Sequence, residues 1–268
     1  QQYMTNIENT IDRYKLSQFY KGKDFEINYV KVQQFDNPEI NSENIHIQSL
    51  SFLYETLKSK DKAEINSKWT NLFPKLDKVK KLKITFGINQ EMFNVVCEIP
   101  NLEELVINTS KVTDLNQLER IKNLNRLEID SSSQLTNISS LEKIKLRQLK
   151  IENCFKIENY EIVEKIESLI GLSLNGYCWG PKNLKIKTIE QFVKLKKLKH
   201  LDLTTTSLED KNSIYKILEI ESLERFDITG NFKPEIVEEI KQRHPNLVAG
   251  FFTDWDYKNK KMFDGKFW

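Results

Sequence analysis

The pattern Leu-x-x-Leu-x-Ile occurs three times in this chain, and its copies start 22 residues apart, at Leu102, Leu124 and Leu146. Self-similarity at a fixed period of this length is the sequence signature of a solenoid. One such repeat is too small to bury its own apolar residues, so it must stack on its neighbours to form a core. This feature limits the chain to a fold of stacked repeats, and it indicates architecture more clearly than activity.

The same pattern continues on both sides of these copies. Further copies start at Val79, Leu169, Leu198 and Leu223, and a weaker one starts at Leu247. Within each copy, the apolar residues at the fourth and sixth positions alternate with polar ones, as expected for a β-strand with one buried face. The repeats therefore predict an α/β solenoid in which each repeat adds one strand to a parallel sheet.

This pattern resembles that of the leucine-rich repeat family, L-x-x-L-x-L-x-x-N/C-x-L. Cys154 and Asn231 match the ninth position of this pattern, whereas Gly87 and Tyr177 depart from it. In three other repeats the ninth residue has a hydroxyl group that could form a similar hydrogen bond, namely Ser110, Ser132 and Thr206. Segments 112–121 and 135–144 look like the short repeats of internalins. The resemblance covers roughly residues 76–250 and implies a horseshoe with a parallel concave β-sheet, without implying an activity.

The segments outside the repeats predict a cap at each end, because the terminal repeats of a solenoid need a cover for their apolar faces. We therefore divide the chain into an N-terminal α/β cap (1–73), the leucine-rich repeat solenoid (74–250) and an aromatic-rich C-terminal cap (251–268). Two alternatives stay open. Residues 1–72 could form a separate functional domain, and the tail could be an exposed aromatic contact site, since Trp and Tyr are common in interface hot spots.

Helices are expected where apolar residues recur at helical spacing. Residues 61–73 predict a helix with Ile65 and Trp69 on its apolar side, and residues 214–218 have the same spacing. Pro234 predicts the start of another helix, since the first helical position favours proline. The later repeats should therefore have helices opposite the strands, whereas the earlier repeats should have tight turns there.

Composition and motifs argue against several classes of function. The 41 basic residues nearly balance the 39 acidic ones, whereas nucleic-acid binders usually have a basic excess. The chain has no apolar run long enough for a transmembrane helix. Cys97, Cys154 and Cys178 form no C-x-x-C pair, which favours a reduced, cytoplasmic environment, although a signal peptide removed by processing stays open. We expect a monomer when no partner is bound.

Catalytic signatures are missing from the sequence. It has no H-E-x-x-H, P-loop or dinucleotide-binding motif, and none of its three histidines stands at the spacing of a known nucleophile motif. We therefore expect no enzyme activity, no cofactor and no metal site. Glu128, Asp130 and Glu152 carry the carboxylates that hard cations prefer, but their spacing matches no known metal-binding loop.

Polar residues flank the buried positions of each strand and should form columns along the concave face. Glu128, Asp130 and Glu152 should form an acidic patch on adjacent strands, and Asp202 and Asp227 another. With the basic and polar residues among them, they form the predicted partner-binding face, namely Arg126, Glu128, Asp130, Lys150, Glu152, Asn175, His200, Asp202, Arg225 and Asp227. The alternative is a solvated surface of mixed charge with no partner.

An insertion lengthens the repeat that starts at Leu169 to 29 residues. It spans 175–182 and follows a strand directly, and insertions in repeat proteins tend to lie in loops on the binding face. Tyr177 and Trp179 stand between glycines, where no periodicity requires a core ring, so we predict that both rings contact the partner. The alternative is a loop folded back, with Trp179 packed on a neighbouring repeat.

A lysine-rich segment follows the insertion and spans residues 182–199, with Glu190 as its only acidic residue. One interpretation is a contact with a glycan or an anionic surface. The other, which we favour, is the solvent-exposed face of a helix whose apolar side holds Ile189, Phe192, Val193 and Leu195.

These features predict a non-catalytic protein–protein interaction module that binds a partner protein on the concave face and the 175–182 loop. An adaptor, an inhibitor or a bacterial immunity-type protein would be a concrete version of this function, because large curved surfaces are what solenoids offer to partners. The alternative function is a binder of a glycan or anionic surface through residues 182–199.

Overall fold

The computed structural model describes residues 30–32, 37–47, 57–85, 87–177, 180, 182–228, 230, 232–250, 253, 255–256 and 261–262. The predictions for 1–29, for Cys178, Trp179 and Asn231, and for the aromatic rings of the tail lie outside these residues. The described residues form two compact units. The amino-terminal unit comprises 30–146 and 153–162, and the carboxy-terminal unit comprises 147–152 and 163–262.

Parallel strands in chain order form the sheet of the amino-terminal unit. These strands are β1 (Val30–Val32), β2 (Asn44–Ile47), β3 (Lys81–Thr85), β4 (Glu104–Asn108) and β5 (Arg126–Asp130). Their register aligns the fourth position of each repeat, so that Leu82, Leu105 and Leu127 are neighbours, as the sequence pattern predicts. The sheet also extends upstream of the first predicted copy, because Ile45 of β2 pairs with Leu82.

Helices of different length lie between these strands. They are α1 (Ser59–Leu72), α2 (Gln90–Val96) and 3-10 helices at Phe73–Lys75, Asn116–Arg120 and Ser139–Lys143. The predicted helix over 61–73 is confirmed by α1, whose Trp69 is buried and stacks on Phe73 with ring centroids 5.6 Å apart. The 22-residue repeats have short 3-10 turns opposite the strands, as expected. Another 3-10 helix, Glu161–Lys165, includes residues of both units.

The carboxy-terminal unit contains a second set of parallel strands. Its larger sheet has the order β6 (Gln148–Glu152), β7 (Gly171–Asn175), β9 (His200–Leu203) and β11 (Arg225–Ile228). A smaller parallel sheet pairs β8 (Leu184–Ile186) with β10 (Thr206–Leu208), and β12 (Trp255–Asp256) pairs antiparallel with β13 (Lys261–Met262). The weak copy at Leu247 joins the larger sheet, because Ala249 forms a parallel bridge with Arg225.

Two of the predicted helices of this unit are confirmed, and the third is confirmed in part. Helix α3 (Pro234–Arg243) begins at the expected proline, and residues 214–218 lie in the 3-10 helix Lys211–Glu219. The lysine-rich segment contains a strand that was not predicted, β8, and continues with the 3-10 helix Ile189–Phe192, whose Ile189 and Phe192 are buried as expected. The strand forms because Leu184 and Ile186 alternate with exposed lysines, which is the period of a strand rather than a helix.

The hydrophobic core lies inside the repeats of each unit. The leucines at the fourth position are almost completely buried, namely Leu82, Leu105, Leu127, Leu149, Leu172 and Leu201. Hydroxyl groups take the ninth position, as expected: Ser110 and Ser132 hydrogen-bond each other with their Oγ atoms 2.6 Å apart, and Thr206 Oγ1 donates to the carbonyl of Leu174 at 2.6 Å. These bonds satisfy polar groups that burial would otherwise leave unpaired.

Candidate functional site

The register of the strands places the candidate residues in the predicted columns. In the amino-terminal unit, Glu104 pairs with Arg126, Val106 with Glu128, and Asn108 with Asp130. In the carboxy-terminal unit, Gly171, His200 and Arg225 form one row, and Ser173, Asp202 and Asp227 form the next. We call the side of the strands that holds these residues the polar face of each unit.

Charges on the polar face of the amino-terminal unit form a chain of ion pairs. Lys81 Nζ lies 2.8 Å from Glu104 Oε1, and Arg126 Nη2 donates to Glu128 Oε2 at 2.8 Å. Arg126 Nε lies 3.9 Å from Glu104 Oε2, so the guanidinium stands between two carboxylates. Arg126 is only 4% exposed. A buried charge must be paired to be tolerated, and Arg126 therefore orders the two glutamates.

Asp202 is the centre of a hydrogen-bond network on the polar face of the carboxy-terminal unit. Its Oδ2 accepts from Ser173 Oγ and from Asn175 Nδ2, both at 2.8 Å. Its Oδ1 accepts from the Thr204 amide at 3.0 Å and from the Thr204 hydroxyl at 2.6 Å. Burial and the nearby Asp227 carboxylate nevertheless raise the pKa of Asp202. The network fastens the end of β7 to the end of β9.

A second group of charges lies beside this network. Arg225 donates to Asp227 through Nε at 2.6 Å and through Nη2 at 3.2 Å, which is a bidentate pair. His200, which pairs with Arg225 in register, is 2% exposed, and burial together with the Arg225 charge holds its pKa well below the usual range. On β6, Lys150 Nζ lies 3.2 Å from Glu152 Oε2.

The polar face is therefore less accessible than a solvated surface of mixed charge would be. Glu128, Asp130 and Asp202 are half-buried, and the other candidates on it are buried, namely Arg126, Lys150, Glu152, Asn175, His200, Arg225 and Asp227. Neighbouring strands lie about 4.8 Å apart, so long side chains on one face pack against each other. Glu128 and Asp130 belong to the amino-terminal unit and Glu152 to the carboxy-terminal unit.

The insertion after β7 is tied at its base by backbone hydrogen bonds. The amides of Gly176 and Leu184 both donate to the carbonyl of Thr205, at 3.2 and 3.0 Å, and the amide of Tyr177 donates to the carbonyl of Lys182 at 3.2 Å. A Cβ atom on Gly176 would lie 2.5 Å from the Lys182 carbonyl oxygen and 2.6 Å from the Leu184 nitrogen. Only glycine fits this close approach.

Tyr177 is an exposed aromatic side chain of this loop. It is 42% exposed, and its ring lies against Gly180, where an added Cβ would lie 2.6 Å from ring atom Cδ1. The amide of Gly180 donates to the carbonyl of Tyr177 at 3.2 Å. The backbone of the loop therefore supports the exposed ring from beneath.

Lysines of the 182–199 segment differ in their surroundings. Lys194 Nζ lies 3.0 Å from Glu164 Oε1, and Lys199 Nζ lies 3.1 Å from Glu224 Oε1. These two are paired within the unit. Several other lysines of the segment are exposed, namely Lys182, Lys185, Lys187, Lys196 and Lys197.

The pattern of the sequence did not indicate a row of left-handed residues at the ends of three strands. Thr109, Ser131 and Asn153 have φ angles of 54°, 56° and 55°. Asn153 Nδ2 donates to Ser131 Oγ at 2.8 Å, and Ser131 Oγ donates to Asp130 Oδ1 at 2.8 Å. These three positions are 22 residues apart, and one of them is Asn, which tolerates the left-handed conformation. This spacing could have predicted the row from the sequence.

A shallow, open depression of about 440 Å³ lies between 3-10 helices and α3 of the carboxy-terminal unit, and Lys216 and Glu219 of its lining form an ion pair. Across the described ranges, no three His, Cys, Asp or Glu side chains are grouped as metal ligands would be. Neither α1 nor any other helix in the described ranges has the length and hydropathy of a membrane span.

Comparison with known proteins gives a likeness of fold. The chain matches no family model and no curated protein. Among solved structures, it is similar to internalin C2 of Listeria monocytogenes (20% identity, TM-score 0.46, covering 60% of this chain and 65% of that chain). It is also similar to another Listeria monocytogenes internalin, inlF (14%, TM-score 0.36, covering 68% and 69%), and to a leucine-rich repeat protein of Leptospira interrogans (16%, TM-score 0.43, covering 79% and 68%).

The chain has a leucine-rich repeat fold. Its own repeats and the parallel register of its strands establish this fold, with Leu or Ile at the fourth and sixth positions of strands β3 to β7. The chain spans about two thirds of internalin C2, 65% of that protein's length. The leucine-rich repeat fold hosts no single activity, so function has to be inferred from the site.

Proposed function

We propose that this leucine-rich repeat protein is a non-catalytic protein–protein interaction module. Its contact surfaces would be the 175–182 loop and, on each unit separately, the half-buried carboxylates of the polar face. The observation that carries the proposal is Tyr177, a 42% exposed side chain on a loop whose base is closed by three backbone hydrogen bonds. Tyrosine is enriched in interface hot spots because it offers a large contact area with few rotatable bonds.

The polar face would contribute specificity more than affinity. Glu128 is held by Arg126, and Asp202 by its four donors, so neither carboxylate needs to be ordered when a partner binds. Charges fixed in this way favour complementary partners and disfavour wrong ones. Arg126 and Arg225, which are buried, would position their acidic neighbours instead of touching the partner.

We further propose a cytoplasmic adaptor, inhibitor or bacterial immunity-type protein that is a monomer when unbound. Cys97 and Cys154 are buried and not joined in a disulfide, which fits a reducing compartment. The caps at 1–73 and 251–268 also remain proposals, since terminal repeats need a cover for their apolar faces.

The proposal is tested by capture from a lysate of the source cells, with the wild-type protein and the Tyr177→Ala variant as baits. Tyr177 is exposed, so its truncation should leave the fold intact, which circular dichroism checks. Val248→Ala is the matched control, because Val248 is the other large apolar side chain exposed in the described residues, at 39%. A specific protein that is retained by wild type and Val248→Ala, and lost with Tyr177→Ala, is expected. Capture of the same proteins by all three baits would contradict a role for the loop.

A second candidate function is binding of a glycan or anionic surface through residues 182–199. The exposed Lys185, Lys196 and Lys197 favour it, whereas Lys194 and Lys199 form ion pairs within the unit. Retention on an anionic glycan column that disappears at moderate salt would support this function, because interactions between exposed charges are screened by salt.

A further inference from the structure

We infer that Asn175 and Asp202 are positioning residues, which hold the base of the 175–182 loop in the form that binds the partner. This inference rests on the proposed function and adds how the contact loop is kept in place. The role is additional to the charge that Asp202 presents on the polar face. It follows from the hydrogen bonds of these two side chains and from the peptide of Thr205, which joins them to the loop.

Neutral donors fill the acceptor sites of Asp202. A carboxylate offers about four lone-pair sites. Ser173 Oγ and Asn175 Nδ2 both donate to Oδ2 at 2.8 Å, and the amide and hydroxyl of Thr204 donate to Oδ1 at 3.0 and 2.6 Å. Because these donors come from β7 and from the residue that follows β9, the carboxylate is oriented by the ends of two strands. Asp202 therefore acts on its surroundings through these donors.

Asn175 uses both polar atoms of its side chain, which is buried and only 7% exposed. Its Nδ2 donates to Asp202 Oδ2 at 2.8 Å and to Ser173 Oγ at 2.9 Å, and its Oδ1 accepts from the Thr205 amide at 2.8 Å. Asp202 requires a donor on one side of this amide, and the Thr205 N–H requires an acceptor on the other, so the orientation of the amide is fixed. A buried amide with these partners positions its neighbours instead of touching the partner protein.

The peptide of Thr205 joins this pair of side chains to the loop. Its amide donates to Asn175 Oδ1, and its carbonyl accepts the amides of Gly176 and Leu184 at 3.2 and 3.0 Å. Gly176 lies near the start of the loop and Leu184 follows its end, so one carbonyl holds both sides of the loop base. A shift of the Thr205 peptide would strain both hydrogen bonds, and a contact loop that is ordered in advance loses less conformational freedom on binding.

Exchanging the two side chains separates hydrogen bonding from the filling of space, because Asp and Asn have almost the same shape. Asn175→Asp places a second carboxylate against Asp202. In Asp202→Asn the new NH₂ group must face either Asn175 Nδ2 or the Thr204 amide, and both of these are donors. The exchanged pair Asn175→Asp/Asp202→Asn restores one donor and one acceptor between the side chains, and it leaves an oxygen for the amides of Thr204 and Thr205.

The first measurement is the hydrogen exchange of the Gly176 and Leu184 amides, followed by NMR in wild type, both single variants and the exchanged pair. We expect both amides to exchange about tenfold faster or more in each single variant, because a hydrogen bond to a charged group is lost or a repulsion is introduced. The exchanged pair should return toward the wild-type rates. Thermal melting confirms that each variant folds.

Two controls separate a local effect from a general one. The amide of Lys111, which donates to the carbonyl of Ile88 in the amino-terminal unit, is the internal reference. Faster exchange of this amide together with the loop amides would show a general loss of stability and would overturn the local role. Asp210→Asn makes the same change in net charge as Asp202→Asn at an exposed position, and it keeps an oxygen for the amide of Asn212. Its loop amides should exchange as in wild type.

The second measurement is the affinity of the captured protein, which is identified by mass spectrometry, purified and studied by biolayer interferometry. We expect Asn175→Asp and Asp202→Asn each to bind about tenfold more weakly, mainly through faster dissociation. The exchanged pair and Asp210→Asn should bind like wild type.

The possible outcomes separate this inference from the proposed function. Unchanged exchange of the loop amides in the single variants, or no recovery in the exchanged pair, would overturn the positioning role, whatever the result with Tyr177→Ala. Faster exchange with unchanged affinity would overturn the link to binding, while loss of binding with Tyr177→Ala would still support the module. Capture of no protein would overturn the proposed function and the link to binding, and the exchange rates would still decide whether Asn175 and Asp202 hold the loop.

Discussion

His200 should make the stability of this protein depend on pH in the neutral range. The side chain is 2% exposed, and both burial and the Arg225 charge hold its pKa well below the usual value. An unfolded histidine titrates near about 6.5. As the pH falls below that value, the unfolded chain takes up a proton that the folded protein does not, so the free energy of unfolding decreases.

The size of this effect follows from the difference in proton uptake. If His200 stays neutral in the folded state, the free energy of unfolding should drop by about 1.4 kcal/mol between about pH 7.5 and about pH 5.5. His200→Gln keeps a polar side chain of similar size but cannot titrate, so this component should disappear. The raised pKa of Asp202 changes the free energy of unfolding in the opposite direction at lower pH. Asp202 is present in both wild type and His200→Gln, so this contribution cancels in the comparison.

Urea unfolding at the two pH values, followed by circular dichroism, measures the difference directly. His46→Gln serves as the control, because it removes a half-buried histidine from β2 and leaves His200 in place. The reasoning would be refuted if wild type and His200→Gln lost the same stability between the two pH values. It would also be refuted if wild type became more stable at the lower pH.

Three further predictions concern the backbone and the core. Gly250→Ala should destabilise the protein by more than about 2 kcal/mol, because Gly250 has a φ of +111° and an added Cβ would lie 2.3 Å from the Phe226 carbonyl oxygen. Gly230→Ala, which meets only a movable side chain, is its control in urea unfolding, and equal costs would contradict the argument. Thr109→Asn should raise stability by about 0.5–1 kcal/mol in the same assay, because asparagine tolerates the left-handed conformation better than threonine; no gain would show that the strain is relieved otherwise. Burial raises the pKa of the Cys97 thiol to about 12, so this thiol should resist alkylation at neutral pH until urea unfolds the chain. Peptide mass spectrometry measures the labelling, and rapid labelling of the native protein would count against the burial of Cys97.

The sequence allowed the strands and their register to be predicted because two simple periods coincide. Alternation within each strand fixes which side is buried, and the spacing between Leu105, Leu127 and Leu149 fixes which residues become equivalent in the stack. The repeat pattern did not include strand β2, because 37 residues separate Ile45 from its partner Leu82 and this distance departs from the period of the other repeats.

The accessibility of the candidate residues could not be predicted in the same way. A polar residue between buried leucines was expected to face solvent, but Arg126 and His200 are covered by side chains that register and packing bring beside them. Composition does not encode such packing, because it depends on side-chain length and ion pairing across strands. Similarly, the sequence places Gly176 in an insertion, but it does not predict the hydrogen bond from the Gly176 amide to the carbonyl of Thr205, 29 residues later.

The closed base of the loop has a consequence for evolution and for engineering. The hydrogen bonds of Gly176, Tyr177 and Leu184 to the carbonyls of Lys182 and Thr205 join the two ends of the segment between 177 and 182. Changes of length or sequence there alter the entropy of a small closed segment only slightly. The residues of this loop can therefore change during evolution, and with them the partner that is recognised, while the repeats keep the protein folded.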